Sequence, residues 1–217
     1  MWGRLGYPRR ALRLHATAVM CTEQFDGAVP STMTELRSLP GVGEYTAAAI
    51  AAFAFGQRCA VLDTNVRRVH ARLFDGVECA PTTSITERER GRATKFLPTD
   101  AEQAARLSAV VMELGALVCT ARSPHCDQCP IRAHCQWRLV GKPPWQGPAR
   151  KGQAYEGTDR QCRGFLLAIV RDSHEPVSPA QLQSGWPNAT QQARALDSLV
   201  ADGLVDVLAD GRYSLPS

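Results

Sequence analysis

The sequence has no apolar run that approaches the length of a membrane-spanning helix, and it has no N-terminal signal peptide. Both absences predict a protein of the cytoplasm rather than a secreted or membrane protein. The eight cysteines are therefore not expected to form a disulfide framework. Strand patterns are also missing until the C-terminal part, so residues 1–140 are predicted to be all-helical.

Acidic residues are scarce in two segments, although the net charge of the whole chain is only +4. Residues 1–20 contain four arginines and no acid. Residues 119–151 have a single acid, Asp127, against Arg122, Arg132, Arg138, Lys142, Arg150 and Lys151. Two such segments favour a surface that faces nucleic-acid phosphates, although either one alone is equally typical of a solvated face.

Four cysteines stand close together in CTARSPHCDQCPIRAHC with the spacing C-x6-C-x2-C-x5-C; they are Cys119, Cys126, Cys129 and Cys135. The outer spacings are too wide for a zinc ribbon and differ from the bacterial ferredoxin run, so we predict one [4Fe–4S] cluster here. Zinc stays an alternative, because it also accepts four sulfurs and because His125 and His134 lie inside the loop. The remaining cysteines are expected to be small buried hydrophobes; they are Cys21, Cys59, Cys79 and Cys162.

Helical periodicity covers most of the first 140 residues. It predicts helices over 11–20, 44–55, 65–74, 87–96 and 100–118, and a short helix that Thr34 caps and that ends near Leu39. In LPGVGEYTAAAI, Gly41 and Gly43 bracket Val42 at the start of a helix. Such a hairpin leaves backbone N–H groups uncapped at the positive end of the helix dipole, which suits a DNA phosphate. An ordinary turn between two packed helices is the alternative.

Asp63 follows a short apolar stretch and precedes a helix in VLDTNVRRVHARLF. An aspartate in this place is usually the N-cap of the helix. The same place also suits a catalytic carboxylate, because a helix N-terminus favours the ionised form, which can stabilise positive charge that develops on a sugar.

Together, LPGVGEYTAAAI, VLDTNVRRVHARLF, MELGALVCT and the cysteine loop resemble the helix–hairpin–helix DNA glycosylases with a [4Fe–4S] cluster, and most closely the MutY-type adenine DNA glycosylases. The resemblance extends over about residues 2–145. It implies base-excision repair of adenine mispaired with 8-oxoguanine or guanine in double-stranded DNA. It also implies that the four loop cysteines bind the cluster and that Gly41, Val42 and Gly43 grip phosphate.

The resemblance assigns further roles to single residues. Asp63 would stabilise an oxocarbenium-like sugar, and Tyr45 would be an active-site tyrosine beside it. Because Tyr45 stands where bifunctional relatives have a Schiff-base lysine, we expect a monofunctional hydrolase. Packing under the helix is the alternative for Tyr45. Tyr7 would wedge into the duplex beside the extruded base, with Arg9 and Arg10 holding phosphates.

One family motif is missing from these 217 residues. The family's catalytic glutamate lies in a pattern like S-E-x-M-L-Q-Q-T, and the resemblance gives that role to neither Glu44 nor Glu113. General-acid catalysis contributes about two to four orders of magnitude in rate. We therefore expect this chain by itself to bind DNA weakly and to release little adenine. A non-catalytic iron–sulfur protein that binds DNA or senses redox state is the alternative function.

The C-terminal part is predicted to be a separate module. A Pro/Gly-rich linker at 141–159 divides a glycosylase domain at 1–140 from a module at 160–217. Helical patterns and a hairpin turning at Asp210-Gly211 predict a winged-helix-like α+β fold, without a Nudix box. The fold class is thus mostly α. We expect a monomer at the nucleoid with no membrane partner, and the sequence identifies no partner for the C-terminal module.

Overall fold

The computed structural model describes residues 8–148 and 155–216. Within them the chain divides into two compact units, residues 14–148 and residues 8–13 together with 155–216. The domain boundaries predicted near 140 and 160 stay a prediction. Among the described helices there is none with the length and apolarity needed to cross a membrane.

Seven α-helices occupy the described residues up to 139. They are α1 Pro8–Gln24, α2 Met33–Ser38, α3 Glu44–Phe53, α4 Thr64–His70, α5 Glu87–Phe96, α6 Ala101–Glu113 and α7 Gln136–Leu139. α4 and α6 each continue into a π-helical turn, Ala71–Asp75 and Leu114–Val118 respectively. Two 3₁₀ turns, Cys126–Gln128 and Arg132–His134, lie between α6 and α7. The predicted all-helical character of this part is confirmed.

Helix α3 lies at the centre of the larger unit. Four of its alanines, at positions 47, 48, 51 and 52, are buried on adjoining faces. Ala47 and Ala51 pack with Cys21, Leu36 and Leu39, whereas Ala48 and Ala52 pack with Val61. Small side chains allow neighbouring elements to approach a helix closely, so an alanine-rich α3 can contact two apolar clusters at once. The start of α3 is thereby fixed relative to the rest of the unit.

Several predicted element ends differ from the structure. The helix predicted over 44–55 ends at Phe53, and the helix predicted over 100–118 is α6 followed by its π-helical turn. The prediction that Thr34 caps the short helix is wrong. Thr32 is the N-cap of α2, and its hydroxyl accepts a hydrogen bond from the Glu35 N–H at 3.3 Å.

The smaller unit contains three further helices and a two-stranded sheet. These are α8 Asp159–Asp172, α9 Pro179–Gln183, α10 Ala189–Ala201, β1 Asp206–Val207 and β2 Tyr213–Ser214. The strands are antiparallel, with Val207 opposite Tyr213, and Val177 forms an additional bridge to Tyr213. Gly211 has a φ of +78° in the connecting turn, which glycine adopts readily. Three helices followed by a hairpin form the predicted winged-helix-like module.

The lone cysteines are only partly as predicted. Cys21 and Cys162 are buried and belong to the two apolar cores. Cys59 and Cys79, expected to be buried as well, are partly accessible. All four are free thiols in the structure.

The capping assignment in α2 predicts opposite outcomes for two threonines. Thr32→Ala removes the cap and should lower the free energy of unfolding by about 1 kcal/mol. Thr34→Ala lies inside the helix, where alanine has the higher helix propensity, and should leave stability unchanged or slightly raised. Urea denaturation of both variants followed by circular dichroism measures the difference. A larger loss for Thr34→Ala than for Thr32→Ala would contradict the assignment.

Candidate functional site

The glycine hairpin lies between α2 and α3. Gly41 has a φ of +80°, a left-handed conformation that favours glycine. Gly43 is the N-cap of α3, and no side chain of the described residues caps that helix. Both glycines are exposed, whereas Val42 packs against the core around Leu36 and Leu39. The first turn of α3 therefore presents uncapped N–H groups in a fixed place, which is a suitable arrangement for an anion.

Nothing lies within 4 Å of the position that a Cβ atom would take on Gly43. Its backbone is extended, with φ −89° and ψ 178°, so other residues can adopt it. The folded chain thus does not itself require glycine at this position. Open space at an N-cap allows another molecule to approach the backbone closely.

Tyr45 lies in the first turn of α3 and its side chain is 40% exposed. Its role as an active-site tyrosine and the alternative in which it packs under the helix both stay predictions. Next to it, Glu44 is bound by Arg90 of α5 through two hydrogen bonds, Nε to Oε1 at 2.6 Å and Nη2 to Oε2 at 3.1 Å. No local pattern predicts this pair, because its members lie 46 residues apart in the chain.

Asp63 is the N-cap of α4, as its position in the sequence predicts. Its Oδ1 accepts the Val66 N–H at 2.6 Å, and its Oδ2 accepts Nδ2 of Asn65 at 2.9 Å. The side chain is half-buried. The two hydrogen bonds hold the carboxylate in one orientation at the N-terminus of α4. The aspartate thus holds a negative charge in one orientation at the surface of the unit.

Arg68 connects Asn65 to the start of the cysteine loop. Its Nη2 donates to Oδ1 of Asn65 at 2.8 Å, and its Nε donates to the carbonyl of Cys119 at 2.7 Å. A continuous set of hydrogen bonds therefore runs from the Asp63 carboxylate through two side chains to the first cysteine.

Gly115 lies in the π-helical turn after α6. A Cβ atom on Gly115 would lie only 2.8 Å from Cβ of Asn65, so glycine is needed where this turn passes α4.

Arg72 lies one turn further along and is only 1% exposed. Its guanidinium donates to the carbonyls of Glu78, Thr120 and Ala121 at 2.8–3.1 Å. It also donates to Sγ of Cys119 at 3.3 Å, and it lies 4.5 Å from the centre of the Trp137 ring. A buried charge is tolerated when its donors are satisfied in this way. Arg72 thus joins both ends of the cysteine loop to α4.

All four loop cysteines line one open cavity, whose empty volume is about 310 Å³. His125 and His134 do not line it. In the described ranges, no three His, Cys, Asp or Glu side chains form a group that could hold a single metal ion. A zinc ion would need four donors at about 2.0–2.3 Å. Four thiols that line one cavity, without either histidine, are a suitable ligand set for a [4Fe–4S] cluster.

The predicted phosphate-binding arginines lie on α1. Arg9 is 61% exposed at its side chain and forms an ion pair with Asp202 of its own unit at 2.6 Å. Arg10 is also exposed. Tyr7, the predicted wedge, lies outside the described residues. The DNA-binding roles of all three residues stay predictions.

Two family models match the chain at the features described above. One describes the helix-hairpin-helix motif and matches residues 24–53, and the other describes the iron-sulfur binding domain of endonuclease III and matches residues 119–135. The solved structure of a non-covalent endonuclease III–DNA complex is 30% identical with a TM-score of 0.52, and the match covers 60% of this chain and 58% of that chain. A thermostable thymine-DNA glycosylase is 27% identical with a TM-score of 0.52, over 61% of this chain and 59% of its own.

Fold and site therefore define a helix–hairpin–helix DNA glycosylase with an iron–sulfur domain, although the chain spans less than two thirds of either solved relative. Adenine DNA glycosylase of Mycobacterium tuberculosis H37Rv is 50% identical over 216 residues, 99% of this chain and 70% of the relative. The human adenine DNA glycosylase is 41% identical over 143 residues, 64% of this chain and 25% of the relative. The chain belongs to the adenine DNA glycosylase family, and its cofactor is a [4Fe–4S] cluster.

The contacts of Arg72 predict that this residue is needed to retain the cluster loop. Arg72→Met should lower the free energy of unfolding by at least about 2 kcal/mol, because several buried carbonyls lose their donor. It should also lower the iron and sulfide content of the purified protein and its brown absorbance. Arg138→Met changes an exposed arginine that lines the same cavity and should leave both properties unchanged. Wild-type stability and iron content in Arg72→Met, or zinc in place of iron in the wild type, would contradict these assignments.

Proposed function

We propose that this chain binds double-stranded DNA and belongs to a monofunctional adenine DNA glycosylase of base-excision repair. The reaction is hydrolysis of the N-glycosidic bond of adenine mispaired with 8-oxoguanine or guanine. One observation carries this proposal: the Asp63 carboxylate is held by two hydrogen bonds at the N-terminus of α4, in the same unit as the hairpin and the cysteine loop. Membership of the adenine DNA glycosylase family supports the choice of base.

The DNA backbone is held at two places in this proposal. The first is the hairpin, whose Gly41, Val42 and Gly43 lead into the uncapped first turn of α3. The second is the cysteine loop, which has exposed arginines at positions 122, 132 and 138. Contacts of both kinds go to phosphate, so they give affinity and register without base preference. For the other unit, we propose that Arg10 binds phosphate and that Tyr7 is a wedge in the duplex.

Asp63 acts on the sugar in this proposal. Departure of adenine leaves positive charge on the sugar ring, and an oriented carboxylate stabilises that charge. The Asn65 amide and the Val66 N–H hold the carboxylate in one orientation. Tyr45 is exposed at the start of α3, and its phenol cannot form an imine with the sugar. Water is therefore the nucleophile that completes hydrolysis, and no strand is cut through an imine.

The ligands of the cluster in this proposal are Cys119, Cys126, Cys129 and Cys135. When bound, the cluster supplies four iron–thiolate bonds that close the loop. Arg68 and Arg72 fix the start of that loop against α4 through the carbonyl and Sγ of Cys119. A protein that works on chromosomal DNA is located at the nucleoid, so the predicted cytoplasmic, nucleoid-associated location forms part of the same proposal.

Gly43→Ser tests whether the hairpin grips phosphate. Serine is a good N-cap, so its hydroxyl should occupy the N–H groups of α3 and leave stability equal or slightly higher. Those N–H groups can then no longer bind a phosphate, so the Kd for DNA should rise about tenfold. Fluorescence anisotropy with a duplex that carries 2′-fluoro-2′-deoxyadenosine opposite 8-oxoguanine measures the Kd. Unchanged affinity in a well-folded Gly43→Ser protein would exclude the hairpin as a phosphate site.

Asp63→Asn tests the role of the carboxylate, since asparagine is also a good N-cap and preserves the fold. The test compares two duplexes, one with a cationic pyrrolidine in place of the sugar opposite 8-oxoguanine and one with neutral tetrahydrofuran there. The wild-type chain should prefer the cationic duplex by about tenfold, which corresponds to one charge-assisted contact. Asp63→Asn should lose this preference and keep its affinity for the neutral duplex. Equal preference in both proteins would exclude Asp63 from the sugar site.

Adenine release is measured on the same 8-oxoguanine duplex with ordinary adenine, in single-turnover reactions. We expect slow release at most by this chain, because no residue in it is assigned as the general acid. If the chain prefers the cationic duplex to the neutral one but releases no adenine, the binding result would still support Asp63 as the residue at the sugar. Tight binding to DNA without any such discrimination would favour the non-catalytic alternative.

A further inference from the structure

The N-terminus of α3 is open although an acidic residue lies in its first turn. Glu44 is the first residue of α3, and α3 has no side-chain cap. In contrast, α2, α4, α5 and α6 are all capped by a side chain. A carboxylate in the first turn of a helix is normally attracted to the free N–H groups there. Because side chains on a helix lean towards its N-terminus, a Glu44 side chain without another partner would extend towards the region that a bound phosphate would occupy.

Arg90 holds this carboxylate elsewhere. Both oxygens of Glu44 accept hydrogen bonds from one Arg90 guanidinium, at 2.6 and 3.1 Å. Arg90 is itself fixed on α5, where it donates to the Ile85 carbonyl at 3.1 Å and to Glu87 at 2.9 Å. A bidentate arginine–carboxylate pair has a defined geometry, so the Glu44 side chain is directed towards α5.

Glu44 is ionised when it makes this pair. The hydrogen bonds from Arg90 are the main cause that lowers the pKa of Glu44 below its usual value, and the nearby charges of Arg90 and Arg37 act in the same direction. An ionised carboxylate near a phosphate repels it, and it also competes for the same N–H donors. Freed from Arg90, Glu44 would oppose phosphate in both ways.

We propose that Arg90 is a positioning residue for DNA binding, which keeps the phosphate site of the hairpin open by holding Glu44 away from the N-terminus of α3. The proposal rests on the proposed function, since it assumes that the hairpin binds phosphate. Arg90 contacts no DNA in this role. Its effect on DNA binding passes entirely through Glu44.

A double-mutant cycle tests this dependence with the 8-oxoguanine duplex carrying 2′-fluoro-2′-deoxyadenosine. Arg90→Met should raise the Kd about fivefold, the effect expected for one like charge close to a phosphate in water. Glu44→Gln alone should change the Kd by less than about twofold, because the carboxylate is already held away. Glu44→Gln combined with Arg90→Met should return the Kd to within about twofold of the wild type.

Arg88→Met is the matched control for the loss of one positive charge on α5. Arg88 pairs with Asp75 and not with Glu44, so its loss should change the Kd by less than about twofold. Arg90→Lys, which keeps the positive charge but cannot make the planar bidentate pair, should retain part of the affinity that Arg90→Met loses. Thermal unfolding of each variant shows whether it is folded, and Glu44→Gln in the Arg90→Lys background replaces the double variant if Arg90→Met does not fold.

Three results would overturn the proposal. The first is an unchanged Kd in Arg90→Met, and the second is a rise of the Kd in Arg88→Met as large as in Arg90→Met. The third is that Glu44→Gln increases the affinity for DNA as much in the wild type as in the Arg90→Met background. The last result would mean that the two charges act independently at long range. Gly43→Ser separates this failure from that of the proposed function. If Gly43→Ser weakens binding while the cycle shows no coupling, the hairpin binds phosphate and only the role of Arg90 is wrong; if Gly43→Ser has no effect, both fail.

Discussion

The site depends on the arginines of α4 that bind the backbone entering the cysteine loop. Arg68 donates to the carbonyl of Cys119, and the buried Arg72 donates to the next two carbonyls and to the Cys119 sulfur. Carbonyls in an irregular loop have no partners from regular secondary structure, and leaving them buried without donors costs about 1–3 kcal/mol each. Guanidinium groups supply several donors in a fixed plane, which suits a turn with carbonyls in several directions.

This arrangement makes the position of Asp63 depend on the cysteine loop. Asp63 is the N-cap of α4, and Arg68 lies near the other end of this helix. Arg72 lies in the π-helical turn that continues α4. Asn65 joins the two ends directly, because it donates to Asp63 and accepts from Arg68. A disordered loop would release Arg68, and Asn65 would lose the partner that orients its amide. Hydrogen bonds thus connect the start of the cysteine loop to the carboxylate that the proposed function places at the sugar.

Local patterns were sufficient to predict the hairpin, the position of Asp63 and the four cysteines. Each is defined by neighbours in the sequence, such as glycine at a turn or an aspartate between an apolar stretch and a helix. Arg72, Arg68 and the Glu44–Arg90 pair were missed, because their partners lie 46 to 51 residues away. The signal for Arg72 was its spacing, since it follows Arg68 by about one helical turn. The cap of α2 was missed although Thr32 and Glu35 form a T-x-x-E capping pattern.

Two helix N-termini in this unit are used in opposite ways. The N-terminus of α4 is filled by its own carboxylate, since Asp63 accepts the Val66 N–H, and the proposed function assigns the remaining negative charge to the sugar. The N-terminus of α3 has glycine as its N-cap, and the nearest carboxylate is directed towards α5. The positive end of one helix dipole thus stabilises a fixed internal anion, whereas the other is left for an anion from outside. A glycosylase needs both, because it must attract a phosphate at one point and oppose a positive sugar at another. If the two N-caps were exchanged, an aspartate at position 43 would repel the DNA backbone at the hairpin. A glycine at position 63 would leave the proposed sugar site without a negative charge, although both helices would still be well formed.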